Sequence, residues 1–305
     1  FQRFQGGHLK VFHYFEHVLS SPSHEARIRF SPDSKWDASN PWSELRETVL
    51  APGDPTAADV LFLAGMDWRS LEPEQRASSP VPIVNLIQTI YPRQPSPLHE
   101  FLSYPAIRIC ISDEVQDRLH SIGAVQGPVF TVPIGVDLDR LPAPRPAGER
   151  DIDCLVLAIK EQRLGASIAE RIARAGYEVL LIDHPLPRSE LLDAMARSRV
   201  AVHLPSSQEG AYLPALESMA LGALVVCPDC VGNRSFCRDG DTCLVPKRSK
   251  RAIVKAALAA LTASGEELTP MLASARRESE ARALGGERTR FLQILDRVDE
   301  LWARV

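Results

Sequence analysis

Eight short apolar runs, separated by stretches of helical periodicity, set the strongest constraint on this chain. Four fall in the first half, at 60–64, 81–87, 107–111 and 129–133. Four more fall in the second, at 154–159, 179–182, 200–204 and 224–227. Runs this apolar, with no polar alternation, mark strands covered on both faces. Strands alternating with helices build β-α-β units and parallel sheets flanked by helices. At 305 residues the chain is about twice an ordinary domain. Residues 141–150 hold three prolines and a glycine, so neither a helix nor a central strand can continue there. A linker at that point predicts one domain over 1–146 and another over 147–285. Helical periodicity resumes after Ile253 and breaks near Gly285-Gly286, which leaves 286–305 as a C-terminal helix expected to pack back on the first domain.

Composition narrows the class. Hydrophobic residues at 45% and charged residues at 24% are a globular balance. A net charge of −4 leaves no overall basic excess to neutralise phosphates, so no nucleic-acid partner is expected. No apolar run reaches the roughly 18 residues that a membrane span needs. No secretory leader is visible, and a chain opening on Phe1 rather than Met reads as processed or trimmed. The six cysteines suggest reduced, buried thiols. Four of them follow C-x2-C-x6-C-x5-C, in which only the first pair has the spacing of a zinc knuckle, so no metal site is expected.

The sharpest local signal lies at 205–226, P-S-S-Q-E-G-A-Y-L-P-A-L-E-S-M-A-L-G-A-L-V-V. A strand ends at Leu204, a polar loop follows, and Pro214 opens a helix that Gly222 ends. Glu209 then stands on the loop and Glu217 in the helix. The amides between them belong to a helix N-terminus, which offers free donors and partial positive charge to a diphosphate. Each carboxylate can accept two charge-assisted bonds from a diol. One such glutamate alone would be no more than a helix-dipole partner; the whole run is more specific than that.

This segment resembles the retaining, bacterial-type glycosyltransferases of family 4, whose donor motif reads approximately P-S-x-x-E-G-F-G-L-P-x-L-E-A-M-A-x-G-x-P-V-V. Residues 232–240, G-N-R-S-F-C-R-D-G, also resemble that family. The resemblance covers roughly 6–246 and is sharp only over 205–246. It implies the GT-B fold, an α/β architecture of two Rossmann-like, doubly wound parallel-sheet domains facing across a cleft. It implies a hexosyl group transferred from a nucleotide-diphosphate sugar, carried by UDP or GDP, to the hydroxyl of a saccharide or lipid-linked acceptor. Polysaccharide or glycoconjugate synthesis is the implied setting. The implied location is the cytoplasm, with peripheral contact at the inner membrane face open to it. No cofactor or metal is implied for the chemistry. Glu209 would contact the sugar, Glu217 the ribose, and the backbone at Gly210, Ala211, Tyr212 and Leu213 the phosphates. Tyr212 departs from the pattern, since the family often has glycine there.

Other positions carry weaker signals. Lys160 and Arg163 follow the first strand of the second half, where basic residues can stabilise a departing diphosphate, although a solvated helix start explains them equally simply. Gly6 and Gly7 precede a helical pattern and would let a phosphate approach the backbone. His8 adjoins them on the acceptor side. Gln88 ends a strand where many family members have histidine; it can donate a hydrogen bond but cannot act as a base. An ordinary loop glutamine remains the other reading. His184, in the loop Asp183-His184-Pro185-Leu186, falls where the family holds the base. His13-Tyr14-Phe15-Glu16-His17 matches the H-x-x-E-H pattern of a zinc protease. At 100° per residue both histidines lie opposite the apolar face, so they are expected to face solvent. A sugar-nucleotide binding protein or partner subunit without transfer activity is the alternative reading, and an epimerase or phosphorylase of the same fold ranks below it.

Overall fold

A computed structural model describes residues 1, 6–37, 39–46, 54–91 and 96–305, the side chain of Thr56 aside. The strands are β1 Leu61–Ala64, β2 Ile83–Ile87, β3 Ile107–Cys110, β4 Val129–Thr131, β5 Ile152–Leu157, β6 Val179–Ile182, β7 Ser198–His203 and β8 Leu224–Val226. The helices are α1 Gly6–Leu19, α2 Pro73–Ala77, α3 Pro97–Glu100, α4 Asp113–His120, α5 Gln162–Ala173, α6 Arg188–Arg197, α7 Leu213–Ala220, α8 Lys250–Thr262, α9 Gly265–Ala281, α10 Leu284–Leu295 and α11 Val298–Trp302. Each apolar run of the sequence contributes one strand. Two compact units result, one of residues 1–133 with 285–305 and one of residues 134–284. Among the described residues no helix is long and apolar enough to cross a membrane.

The first unit holds a parallel sheet in the order β1-β2-β3-β4. All five residues of β2 are buried, as a strand covered on both faces requires. Asn85, at its middle, donates to Leu63 O at 2.9 Å and accepts from Arg108 Nη1 at 2.6 Å. On one face α1 and α10 meet β1 through Tyr14, Phe62 and Phe291, with Tyr14 and Phe291 centroids 4.7 Å apart.

His13 and His17 are buried, not solvent-facing. The helix α1 is covered on more than one side. Phe12 and Phe15 pack on Trp42, while the face carrying Lys10 and His17 meets α10. There Lys10 Nζ donates to both Glu287 oxygens, at 2.7 and 2.5 Å, and His17 Nε2 lies 3.0 Å from Glu287 Oε1. A carboxylate from the far end of the chain makes this burial of polar groups tolerable. Helical periodicity within α1 carries no trace of it.

The second unit holds a parallel sheet in the order β6-β5-β7-β8. Its direction reverses at β5, whose neighbours are β6 on one side and β7 on the other. In β5, Cys154 and Val156 enter the core with α5 and α8, whereas Leu155 and Leu157 enter the core with α6. This period of two is the pleat of a central strand with helices on both faces. The proline-rich stretch groups with this unit. Arg150 pins it by donating to Ser198 O and Leu221 O, both at 2.7 Å.

The C-terminal helical region breaks at 263–264, 282–283 and 296–297, and Gly285 and Gly286 lie inside the first turn of α10 rather than at a break. Val136 decides the position of the second. Its N–H donates to Arg282 O at 2.8 Å and its carbonyl accepts from Leu284 N at 3.0 Å, which takes these groups out of the helical ladder.

Candidate functional site

In an open parallel sheet, ligands bind outside the carboxyl ends of the strands, where the strand order reverses. In the second unit those are the ends of β5 and β7. Lys160 follows β5, and the loop carrying Glu209 follows β7.

Glu209 is folded back on its own loop. Its Oε1 accepts from Ser206 N at 3.2 Å and from Ser206 Oγ at 3.0 Å. Lys160 Nζ forms an ion pair with the same oxygen. The carboxylate is largely covered, at 14% exposure, while the Lys160 side chain is 52% exposed. The two groups expected to carry charge in the reaction therefore meet directly.

A second loop backs the first. Val231 N donates to Ser207 O at 3.2 Å, and Tyr212 N donates to Gly232 O at 3.1 Å. A Cβ on Gly232 would lie 2.5 Å from Ala211 N, so only glycine permits this approach. Asn233, buried, accepts from Cys230 N at 3.1 Å and donates to Pro228 O at 3.2 Å. Of the amides expected to face phosphate, that of Tyr212 is thus taken by the backing loop, whereas those of Gly210, Ala211 and Leu213 donate to no described group.

The Tyr212 ring is buried in a core with Ala215, Leu216, Met219 and Phe236. It stands edge-on to His203, with centroids 5.6 Å apart. His203 Nε2 lies 3.0 Å from Ser218 Oγ, and burial pushes the imidazole pKa down to about 3, so the ring is neutral.

Glu217 lies in α7, one turn past Leu213, and is 2% exposed. Arg188 Nη2 donates to its Oε1 at 2.7 Å. Arg188 is the first residue of α6, just after the loop that carries His184. His184 is exposed, with Nδ1 3.0 Å from Asp183 Oδ1. Gln162 Nε2, at the start of α5, donates to Asp183 O at 2.8 Å and ties this loop to the helix after Lys160. Arg163 is exposed on the same helix and makes no hydrogen bond or ion pair to a described residue. Arg248 donates to Pro205 O at 2.7 Å and to Asp229 O at 3.0 Å, clamping the donor loop to the end of β8.

Lys160, Glu209, Gly210, Ala211, Leu213 and Glu217 thus lie around the ends of β5 and β7, and His184 beyond β6. Sequence reasoning missed Arg188 and Arg248. Each is one of 35 lysines and arginines, and no local pattern marks either as the partner of a distant loop or carboxylate. The four clustered cysteines are free and buried. The neighbouring thiols of Cys227 and Cys243, together with burial, push up the Cys237 pKa. Among the described residues they form no ligand cluster.

In the first unit, Gly6 and Gly7 open α1 and are exposed. A Cβ on Gly7 would lie 3.6 Å from Gln88 Oε1, so Gly7 and Gln88 are neighbours at the carboxyl end of β2, whereas a Cβ on Gly6 would meet open space. The ring of His8 packs on Phe1, with centroids 5.0 Å apart.

Residues 148–263, most of the second unit, match the family described as "Glycosyl transferases group 1". Among solved structures, the chain is similar to a sucrose-phosphate synthase from Thermosynechococcus elongatus, with a TM-score of 0.63 and 13% identity over 80% of this chain and 74% of that one. A pneumococcal O-GlcNAc transferase in complex with UDP and GlcNAc aligns with a TM-score of 0.53 and 13% identity over 72% of this chain and 53% of that one. The Anabaena protein HepE in complex with UDP aligns with a TM-score of 0.59 and 12% identity over 72% of this chain and 73% of that one. No curated protein sequence matches. At such identities the similarity shows the fold, which is two Rossmann-like parallel sheets of the GT-B class.

Proposed function

We propose that this chain is a retaining glycosyltransferase resembling family 4, moving a hexosyl group from a nucleotide-diphosphate sugar to an acceptor hydroxyl. One observation carries the reading: Lys160, Glu209 and Glu217 gather where the second sheet reverses its strand order, in the segment that matches group 1 glycosyltransferases. The structural relatives solved with UDP support a uridine donor, and a guanosine donor is compatible with the same groups.

In this reading the free amides of Gly210, Ala211 and Leu213, at the start of α7, receive the diphosphate. Lys160 moves its charge from Glu209 to the leaving phosphate as negative charge develops there, and Arg163 adds a second positive charge. Glu209, held by Ser206, then accepts from the sugar hydroxyls, and Glu217 accepts from the ribose diol. His184 lies on the base side. Gly6 and Gly7 offer backbone to the donor phosphate, while His8 and Gln88 serve the acceptor. Gln88 cannot take a proton at neutral pH, which fits a retaining mechanism in which the leaving phosphate oxygen takes the acceptor's proton as the sugar–phosphate bond breaks. No metal is needed. The acceptor is a saccharide or lipid-linked saccharide of polysaccharide or glycoconjugate synthesis, met in the cytoplasm or at the inner face of the membrane.

Glu209→Ala tests this. With UDP- and GDP-sugars, transfer and donor hydrolysis should fall by about a hundredfold, the scale of losing one preorganised polar group in a reacting site. Full activity in the variant would sink the assignment. Donor binding without hydrolysis or transfer in the unaltered chain would make it a binding subunit instead.

A further inference from the structure

The structure assigns Arg188 as the positioning residue that makes Glu217 a selective reader of the ribose diol; this rests on the donor reading above. Glu217 is 2% exposed. A carboxylate buried to that degree is costly without a partner. Arg188 supplies the partner, through one hydrogen bond of 2.7 Å to Oε1 alone. Oε2 accepts no hydrogen bond from a described residue, yet it is not sealed from solvent. The ion pair therefore fixes the orientation of the carboxylate, so that one oxygen is held while the other is presented.

A carboxylate oxygen has two lone-pair directions, and two vicinal hydroxyls match them. A carboxylate turned away from that orientation would lose that match. Arg188 is placed for the task by its own backbone. Pro187 caps α6, and Arg188 is its first residue, so the Asp183-His184 loop and the Glu217 carboxylate are joined by a single side chain. The Arg188 side chain, 30% exposed, remains at the surface of the site rather than in the core. Its substitution should accordingly alter recognition more than folding.

The expected signature is loss of sugar-edge selectivity. Titration calorimetry on the full chain would compare UDP with 2′-deoxy-UDP, and GDP with 2′-deoxy-GDP. The unaltered protein should prefer the ribonucleotide by about tenfold, the scale of one charge-assisted hydrogen bond. Arg188→Met should weaken ribonucleotide binding and shrink that preference to about twofold. Arg188→Lys, which keeps a charge and a donor, should restore part of it. If Arg188→Met fails to fold, Arg188→Gln, which keeps a donor without charge, is measured in its place. A purely structural arginine would lower affinity for both nucleotides equally and leave the ratio unchanged, which would overturn the inference. Ribonucleotide binding with no preference in the unaltered protein would also overturn it. Binding of neither UDP nor GDP would instead remove the donor reading on which it stands.

Discussion

Arg108 in the first unit and Glu217 in the second are both buried charges, and their unused hydrogen-bonding capacity faces opposite ways. Arg108 donates from Nη1 to Asn85 Oδ1 at 2.6 Å and from Nη2 to the carbonyls of Phe101, Leu102 and Tyr104 at 2.9, 3.1 and 2.7 Å. Its Nε makes no bond but is sealed from solvent. Burial pulls its pKa down to about 10, so it stays charged at neutral pH. Glu217 makes one hydrogen bond, and its second oxygen is reachable. Burial of a charge does not by itself mark a functional group. Capacity that a ligand can reach, at the carboxyl ends of a reversing sheet, does so far better.

Arg108→Met should carry the largest effect. Three carbonyls and an amide oxygen each lose a charged donor at once, and the unfolding free energy should fall by about 3–5 kcal/mol. Urea unfolding would measure it, and a loss under about 1 kcal/mol would mean that the network relaxes or hydrates. Next is Lys10→Met, which takes from the buried Glu287 carboxylate the amine that donates to both its oxygens and should cost about 3 kcal/mol. The double variant Lys10→Met/Glu287→Leu should recover more than half of that. A double variant no better than the single would mean that packing, not the ion pair, sets the cost.

His203 sharpens the contrast through pH. Its pKa is about 3 when folded, against an ordinary value of about 6.5 in the unfolded chain. Between those values the unfolded state binds the extra proton, so stability rises with pH and is lost on acidification. From pH 7 to pH 5 this one group should remove about 2 kcal/mol. Melts of His203→Gln against the unaltered chain should show a flatter pH dependence, and parallel curves would exclude the assignment. The smallest effect is expected at Gly232. A Cβ there meets backbone rather than a flexible side chain, so Gly232→Ala should cost about 1–2 kcal/mol and shift the Ala211 amide. UDP titration should show weaker binding, and unchanged affinity would mean that this amide is not used.

Much of this molecule is legible locally. The apolar runs mark the strands within a residue or two because a strand buried on both faces must be mostly apolar, Asn85 and Arg108 being tolerated through their bonds to each other and to backbone carbonyls. Pro214 and Gly222 bracket α7 for backbone reasons that need no neighbours, although the helix opens one residue earlier, at Leu213. The histidines of α1 read wrongly because they belong to a buried polar group, His13 beside Lys10 and His17 beside Glu287, whose carboxylate comes from near the other end of the sequence. The helix break near residue 285 reads two residues late because Val136 takes the backbone groups of Arg282 and Leu284. Tyr212, the departure from the donor pattern, turns its ring into the core beside His203.

The sequence by itself determined where strands and helices form and that Glu209 and Glu217 flank a helix start. Both follow from periodicity, proline and glycine, which act over a few residues. Only the tertiary structure decided the reversed strand order of the second sheet, the pairing of Lys160 with Glu209 and of Arg188 with Glu217, and which glutamate oxygen remains open. Those depend on loops from different strands meeting at one end of a sheet, and no spacing along the chain encodes which of many similar charges will arrive there.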